Sequence, residues 1–473
     1  MQRGGPTPWF AIAALCNAGV VVALMQTIII PLIPGLPGRL DADPADTAWA
    51  LTITLLVGAV VTPISGRLGD MYGKRRILLL SLLFVAIGSG ICALSPTLLP
   101  FLVGRGLQGL GLGTIPLGIS IMRDIVPSAR LSSAIGAMSG SLGVGSALGL
   151  PFAASIAQLL DWHMLFAVSA AVALLAMVGV AATVGEPTPP PGGRFDFPGA
   201  LGLLILLTCL LLPLSRIGTW GPTGPATIGL LALAIVSAAI WARFELRLDA
   251  PLIDLRVLAR RPVILTNFAS VAIGFGFYTM QMIPIQLLMT PTRLRAGMGF
   301  DMLVASLILT PAGLLMFLSS PVCSRLCRLY GPRVALAIGA ATLGVSFVVL
   351  LASVGGALPL NWVTIAVAGA FSGAGLGIAY AAMPAQIMRA VDVEQTAEAN
   401  GVNTLARAIG TSLSTAVVGM ILTSSIHPVA DVPASATIPT TPGYVASMLI
   451  SLAVCGSAVV MALAIPRLTS AAS

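Results

Sequence analysis

Charge is scarce in this sequence. Only 8% of the 473 residues are Asp, Glu, Lys or Arg, and the chain has one Lys and two His. Soluble globular domains carry about 25% charged residues, so this composition excludes an ordinary soluble protein. The net charge of +8 is spread over separated residues, and no basic helix is available to enter a nucleic-acid groove. We therefore expect attraction to anionic lipid, and no nucleic-acid partner.

Motifs of catalysis are also absent. The sequence has no HExxH, no phosphate loop and no arrangement of Ser, His and Asp typical of hydrolases. A nucleotide-binding domain is missing too, which excludes an ATP-driven pump. The six Cys lie in or beside apolar segments, where a thiol acts as a small hydrophobe. The sequence predicts a protein that is not an enzyme and that holds no cofactor and no metal.

Apolar residues are what the chain has in abundance. They make up 57% of it, with a mean hydropathy of +1.01. About fourteen segments are long enough to cross about 30 Å of hydrocarbon as helices. These segments are residues 8–33, 48–66, 77–95, 98–121, 131–159, 163–184, 199–215, 224–242, 263–289, 302–322, 334–354, 360–384, 397–423 and 443–465. The sequence therefore predicts an all-α polytopic membrane protein.

The basic residues predict the orientation of these spans. With the amino terminus in the cytoplasm, 18 of the 24 Lys and Arg residues fall in cytoplasmic segments and four fall outside. Lys and Arg are retained on the cytoplasmic side of short loops. We therefore predict that both termini are cytoplasmic, in a multi-pass protein of the cell membrane.

Two segments show that the chain contains a repeat. The first is Gly66-Arg67-Leu68-Gly69-Asp70-Met71-Tyr72-Gly73-Lys74-Arg75-Arg76, a Gly-rich turn with one carboxylate between two apolar runs. A weaker copy follows 258 positions later at 324–333, in which Arg-Leu, Tyr-Gly and the last Arg recur. The pairs Met122-Arg123 and Met388-Arg389 repeat similarly. One chain thus contains two related halves.

The first segment resembles the loop signature of the major facilitator superfamily. Arg105 with Gln108 and Gly109 resembles the motif in the family's fourth helix, and Phe195 to Gly199 resembles the fourteen-span drug:proton antiporter branch. The resemblance implies the major facilitator fold, with two six-helix bundles plus two extra central helices. We place the boundaries at 1–185 for the first bundle, 186–262 for a Pro-rich linker with the extra helices and a cytoplasmic loop, and 263–473 for the second bundle.

The resemblance also implies a gating role for the loop signature. In the family this loop is thought to hold the two halves together in the outward-facing state. The alternative is a charged anchor that only sets topology, but an anchor explains neither the glycines nor the acid. The predicted gating residues are Gly66, Arg67, Gly69, Asp70, Gly73, Lys74, Arg75 and Arg76, with Asp124 as a partner of the cations.

Arg105 is predicted to take part in proton coupling or translocation, together with Gln108 and Gly109. An Arg inside a span costs at least about 2.5 kcal/mol, so it is expected to face a cavity or a partner. The alternative is an Arg near the outer end of its span that extends to the headgroups. Arg407 lies deep in the thirteenth span, where it either meets an anionic group of a substrate or bonds to backbone carbonyls.

A carboxylate at mid-membrane is missing. Relatives often carry an Asp in the first span, and here Met25 stands at that position. Asp46 and Asp301, at the mouths of the second and tenth spans, are the titratable groups left near the pathway. The remaining polar residues suit neutral or anionic amphiphiles better than cations. The predicted cavity residues are Gln26, Thr27, Asn267, Tyr278, Gln281, Tyr380 and Asn403.

The sequence thus predicts a secondary transporter that works by alternating access. Its expected activity is export of small amphipathic compounds, driven by the proton gradient, with protons, small molecules and the bilayer as partners. Pro151 comes one position later than in the family's antiporter motif, which leaves symport open. The alternatives are an uncoupled or symport carrier of neutral or anionic metabolites or lipids, and a non-transporting membrane receptor on the same fold.

Overall fold

The computed structural model describes residues 9–29, 32, 35–47, 49–185, 195–248, 251–290, 297–392, 395–425 and 440–466. All regular structure in these ranges is helical. The α-helices are α1 Trp9–Thr27, α2 Leu36–Leu40, α3 Pro44–Thr47, α4 Trp49–Tyr72, α5 Lys74–Leu94, α6 Leu98–Gly109, α7 Thr114–Ile125, α8 Ser128–Leu159, α9 His163–Thr183, α10 Phe197–Trp220, α11 Pro225–Glu245, α12 Leu255–Leu258, α13 Arg261–Met289, α14 Met302–Leu318, α15 Ser320–Tyr330, α16 Pro332–Val354, α17 Trp362–Met388, α18 Thr396–Ser424 and α19 Thr441–Ala464.

Within the described ranges, fourteen stretches of helix are long and apolar enough to cross a membrane, which confirms the predicted number of about fourteen. A short 3₁₀ segment, Leu110–Gly113, joins α6 to α7 as one span, and α14 continues into α15 as another. Several helices extend beyond their predicted ends. For example, α4 ends at Tyr72 and not at 66, because helical hydrogen bonding continues where the hydropathy falls.

Two large apolar cores divide the described helices. One is built from α1 and α4 to α9, the other from α13 to α19. Helices α10 and α11, which we call the central hairpin, pack on each other, and α10 also contacts α4 and α18. The boundaries at 185 and 262 remain predictions. The Pro-rich linker at 186–194 and the chain ends at 1–8 and 467–473 lie outside the described residues, so the predicted positions of the termini remain predictions as well.

The predicted repeat has a structural counterpart at two turns. Gly73 separates α4 from α5 with φ of 109°, and Gly331 separates α15 from α16 with φ of 85°. Residues with a side chain rarely adopt this backbone conformation, whereas glycine does so without strain. Each glycine therefore lets the chain turn from one helix into the next within a single residue, at equivalent places in the two halves.

The two halves contact each other at one end of the bundle. We call this end, which carries Gly73, Asp124 and Glu398, the predicted cytoplasmic face. Backbones approach closely there, since a Cβ added at Gly66 would lie 2.6 Å from the Ala397 carbonyl oxygen. On the other side of the interface, α8 packs along α14. The two halves are thus in close contact at the predicted cytoplasmic face.

Candidate functional site

The predicted gating loop is helical over most of its length. Gly66, Arg67, Gly69 and Asp70 belong to α4, and only Gly73 forms a turn. The prediction of a Gly-rich turn is therefore wrong for the first part of this segment. Gly66 instead lets α4 approach α18, and Gly69 makes room for the Leu117 side chain. A larger residue at position 66 would separate packed helices, because the atoms it meets belong to the backbone of Ala397.

Charged residues of both halves meet at the predicted cytoplasmic face, where α4 and α7 end and α5 and α18 begin. Arg67 Nη1 lies 3.4 Å from Glu398 Oε2, and the backbone N–H of Glu398 donates to Asp70 Oδ2 at 3.1 Å. Lys74 Nζ lies 2.8 Å from Asp124 Oδ2 and 3.7 Å from Asp70 Oδ1. We call these five residues the cytoplasmic charge cluster. Its central contact joins the two halves through Asp70 at the amino end of α18, where a carboxylate is stabilised.

The other predicted gating cations differ in position. Arg75 donates to the Ala181 carbonyl at 2.7 Å within the first half, and not to Asp124. Arg123, which contacts the second half, was not among the predicted gating residues. It donates to the carbonyls of Met388 (3.2 Å) and Asp392 (3.3 Å) and to the Thr396 hydroxyl, all in the second half. The repeated Met-Arg pair was the signal that singled out this position.

Arg105 lies inside the first bundle and is completely buried. Its Nε donates to the Ala50 carbonyl at 2.9 Å, and its Nη1 donates to the Met25 carbonyl at 3.2 Å and to Gln108 Oε1 at 2.6 Å. The alternative that it extends to the headgroups is therefore wrong. Among the described residues no carboxylate pairs with it, and its Nη2 has no acceptor. This guanidinium is thus held in place, and none of the described carboxylates neutralises its charge.

Gln108 and Gly109 support the position of Arg105. The Gln108 amide donates to the Ser89 hydroxyl at 2.8 Å, which fixes the oxygen that faces Arg105. A Cβ at Gly109 would lie 2.7 Å from the Thr54 carbonyl oxygen. Thr54 in turn donates to the Arg105 carbonyl at 2.9 Å. The motif thus orients a cation between α1, α4, α5 and α6.

Arg407 is the second buried cation, in the other bundle. It donates to Asn403 Oδ1 at 3.0 Å and to Thr404 Oγ1 at 2.9 Å, and it lies 4.8 Å from the centre of the Tyr380 ring. The Asn403 amide also donates to Asn267 Oδ1 at 3.0 Å. Side chains, and not backbone carbonyls, therefore hold Arg407 and leave its charge without a described carboxylate.

A small cavity of about 60 Å³ lies between α8 of the first half and α13, α14 and α17 of the second. Gln281 lines it, together with Phe277, Met280 and Ser146. Its wall is mostly small or apolar. The cavity adjoins the contacts between α8 and α14, since Gly143, Gly313 and Met316 belong to both.

The structure does not bring all predicted cavity residues to this wall. Thr27 is buried against Gly149 and donates to the Leu24 carbonyl at 3.1 Å. Gln26 and Tyr278 are half-buried on α1 and α13. Tyr380, Asn403 and Asn267 form the surroundings of Arg407. None of these lines the cavity.

Asp46 and Asp301 are both exposed at the face opposite the cytoplasmic charge cluster. Asp301 accepts from the Val304 N–H at 2.8 Å and caps α14. Asp46 lies in the short helix α3. Capping alone accounts for Asp301, and neither carboxylate contacts Arg105 or Arg407.

The distribution of charge in the described spans is uneven. Their carboxylates are Asp70, Asp124, Glu245 and Glu398, all at the predicted cytoplasmic ends of helices. Away from the helix ends, the charged side chains are Arg105 and Arg407. Because both are cations held by neutral partners, the interior of the bundle favours anions.

The Major Facilitator Superfamily model matches residues 15–415. The chain therefore belongs to the major facilitator superfamily. It is 28% identical over 426 residues to "Tetracenomycin C resistance and export protein" of Streptomyces glaucescens, covering 89% of this chain and 77% of that protein. It is 25% identical over 442 residues to "Multidrug efflux pump LfrA" of Mycolicibacterium smegmatis, covering 91% and 84%.

A third relative matches only in part. The chain is 30% identical over 277 residues to "Uncharacterized MFS-type transporter Rv1877" of Mycobacterium tuberculosis, a match that covers 58% of this chain and 40% of that protein. Among solved structures, the human organic anion transporter MFSD10 superposes with a TM-score of 0.67 at 16% identity, covering 97% of this chain and all of that one. The proton:xylose symporter XylE gives 0.66 at 12% identity, covering 97% and 96%. These structures show the shared fold.

Proposed function

We propose that this protein exports small amphipathic compounds across the cell membrane by alternating access, in exchange for protons. Membership of the superfamily supports transport, and relatives that match most of the chain are named as a resistance and export protein and as a multidrug efflux pump. The closed predicted cytoplasmic face supports alternating access, because the same halves must separate there to load a substrate.

The observation that carries the proposed substrate class is the completely buried Arg105 with no described carboxylate beside it. A buried charge without a counterion is costly, so an anionic or strongly polar group of a substrate would be stabilised near it. Arg407 adds a second cation in the opposite bundle. The proposed substrates are therefore neutral or anionic amphiphiles rather than permanent cations.

The scarcity of carboxylates in the spans favours a second candidate function. Mid-membrane carboxylates that could carry protons are absent from the described spans. An uncoupled or symport carrier of anionic or neutral amphiphiles would need no such group. The two candidates share a substrate class and differ in whether substrate movement is linked to protons.

The test is proton movement in everted membrane vesicles that contain the protein. A panel of cationic, neutral and anionic amphiphiles is added in turn, with Arg105→Ala as the control variant. Collapse of the pH gradient by anionic or neutral compounds, lost in the variant, supports the proton-coupled exporter. Substrate uptake without proton movement supports the second candidate. Absence of both across the whole panel contradicts the proposed transport function.

A further inference from the structure

Two carboxyl groups that the proposed transport cycle does not use lie at one end of the central hairpin. Asp196 precedes α10 and caps it, with Oδ1 accepting from the Gly199 N–H at 2.8 Å. Glu245 ends α11 and is only 2% exposed. Both lie at the predicted cytoplasmic face. We call these two residues the acid pair.

The free oxygens of the acid pair converge on one point. Asp196 Oδ2 and Glu245 Oε1 are both buried, and neither has a hydrogen-bond partner among the described residues. A Cβ added at Gly199 would collide with both oxygens. Glycine at 199 thus leaves just enough space for two carboxyl oxygens to face each other.

The second oxygen of each group is held by a backbone donor. Glu245 Oε2 accepts from the Ile253 N–H at 3.3 Å, as Asp196 Oδ1 does from Gly199. The Trp241 indole donates to the Gly199 carbonyl at 2.9 Å and fixes α11 against α10. Neither carboxyl group can therefore turn away from the other without losing a hydrogen bond.

No described cation neutralises the acid pair. Arg243 and Arg247, on and after α11, are exposed, and Arg256 donates to the Leu246 carbonyl. Arg216 lies at the opposite end of α10, over the Trp49 ring. The remaining charged groups on the packed elements are Asp254, Arg67, Asp70 and Glu398, of which Arg67 pairs with Glu398. Two facing carboxylates without a cation cannot both be ionised at low cost.

We propose that Asp196 and Glu245 form a proton-binding site in which one proton is shared between Asp196 Oδ2 and Glu245 Oε1 at neutral pH. The shared proton converts a repulsive contact into a strong hydrogen bond between a carboxyl group and a carboxylate. Such pairs release their proton as a unit rather than as two separate acids.

The site adjoins the contact between the two halves. The N–H of Ile253 donates to Glu245, and the next N–H along the chain, that of Asp254, donates to Glu398 Oε1 at 2.8 Å. Glu398 belongs to the cytoplasmic charge cluster. Loss of the proton from the acid pair would therefore act on the segment that contacts the closed interface. The site itself does not depend on the proposed transport function, whereas its use in proton coupling does.

The test is infrared spectroscopy of the purified full-length protein in lipid nanodiscs, titrated with pH in the absence of substrate. The variants are Asp196→Asn, Glu245→Gln and the double variant, with Asp392→Asn as a matched control because Asp392 is an exposed carboxylate at the same face. Asn or Gln donates a hydrogen bond to the remaining carboxylate, so each single variant is expected to lose one protonated carboxyl at neutral pH. The double variant is expected to lose no more than one, and the control none.

Loss of two protonated carboxyls in the double variant, or an unchanged signal in both single variants, overturns the shared proton. Absence of any protonated-carboxyl band from the wild type at neutral pH also overturns it, and this outcome does not depend on the folding of the variants. Because no substrate is present, a negative result here leaves the vesicle assay unaffected. A positive result with no proton-linked transport would show a proton site in a carrier that is not proton-driven.

Discussion

Met25 lies against Arg105, and its carbonyl accepts a hydrogen bond of 3.2 Å from the guanidinium. Its thioether also lies 3.6 Å from the Gln108 amide. The side chain at position 25 therefore lies beside the buried Arg105. In the family that the sequence resembles, this position of the first span is often an Asp. An Asp here could neutralise Arg105, whereas Met leaves Arg105 without a carboxylate among the described residues.

Met25→Asp is expected to reverse the charge preference of transport. The new carboxylate would pair with Arg105 and remove the net positive charge of the site. We expect anionic amphiphiles to be transported about 10-fold less efficiently, with a gain for cationic ones. Competition between an anionic and a cationic dye in proteoliposomes measures this ratio. Met25→Leu, which keeps the volume without charge, should retain the wild-type preference, and an equal loss in both variants would contradict the charge argument.

Arg105→Lys is expected to reduce the transport rate by about 10-fold or more. A Lys ammonium keeps the charge but cannot donate in the fixed geometry that reaches Ala50, Met25 and Gln108 at once. The efflux rate per molecule, at matched amounts of protein in the membrane, measures the effect. Arg243→Lys, at an exposed position on α11, should be neutral. Full activity in Arg105→Lys would mean that charge alone is sufficient there.

Tyr380→Leu is expected to weaken the binding of anionic substrates. The Tyr380 ring lies under the Arg407 guanidinium, and a cation–π contact contributes about 0.5–2 kcal/mol. Loss of the ring should therefore raise the Kd about 2-fold to 30-fold, because Arg407 becomes less ordered. Tyr380→Phe keeps the ring and should stay close to the wild type. Equilibrium binding to the purified protein distinguishes them, and identical affinities of all three proteins would exclude the contribution.

Gly66→Ala is expected to open the predicted cytoplasmic face. Its Cβ would lie 2.6 Å from the Ala397 carbonyl oxygen and 2.9 Å from the carbonyl carbon, so α4 and α18 must separate. Alanine favours helix, which means that a weakened α4 cannot explain the result. Spin labels at exposed positions 72 and 392 report the distance between the halves.

The matched control for this change is Gly90→Ala, because a Cβ at Gly90 meets no atom within 4 Å. We expect Gly66→Ala to lower the population with the short label distance several-fold and Gly90→Ala to leave it unchanged. A wild-type distance distribution in Gly66→Ala would show that the two backbones are not in contact in the membrane.

The number of spans and the repeat could be predicted because both depend on local properties of the sequence. Hydropathy identifies apolar helices, and Gly73 and Gly331 mark equivalent turns. The helical state of Gly66 could not be predicted, because a glycine that permits a turn and one that permits close packing look alike until the partner, Ala397, is known.

Site residues could be predicted from the sequence only where placing a charged side chain inside a span costs free energy, because such a residue is expected to have a specific environment. Arg105 and Arg407 were singled out because a charged side chain inside a span is costly and is expected to have a partner there; both are buried in the structure, and their roles stay predictions. Arg123 and the acid pair were not found, because charges near span ends are ordinary. Their roles depend on contacts between residues far apart in sequence, such as Arg123 with Met388 and Asp196 with Glu245.

The most direct measurement for the central claim compares two forms of one amphiphile, a fluorescent carboxylic acid and its quaternary ammonium analogue of matched size, for transport by the purified protein in proteoliposomes. The reference is the Arg105→Ala variant, which lacks the positive charge at this position. We predict that the wild type transports the carboxylate at least about 10-fold faster than the cation, and that Arg105→Ala abolishes this difference. Faster transport of the cation by the wild type would contradict the account.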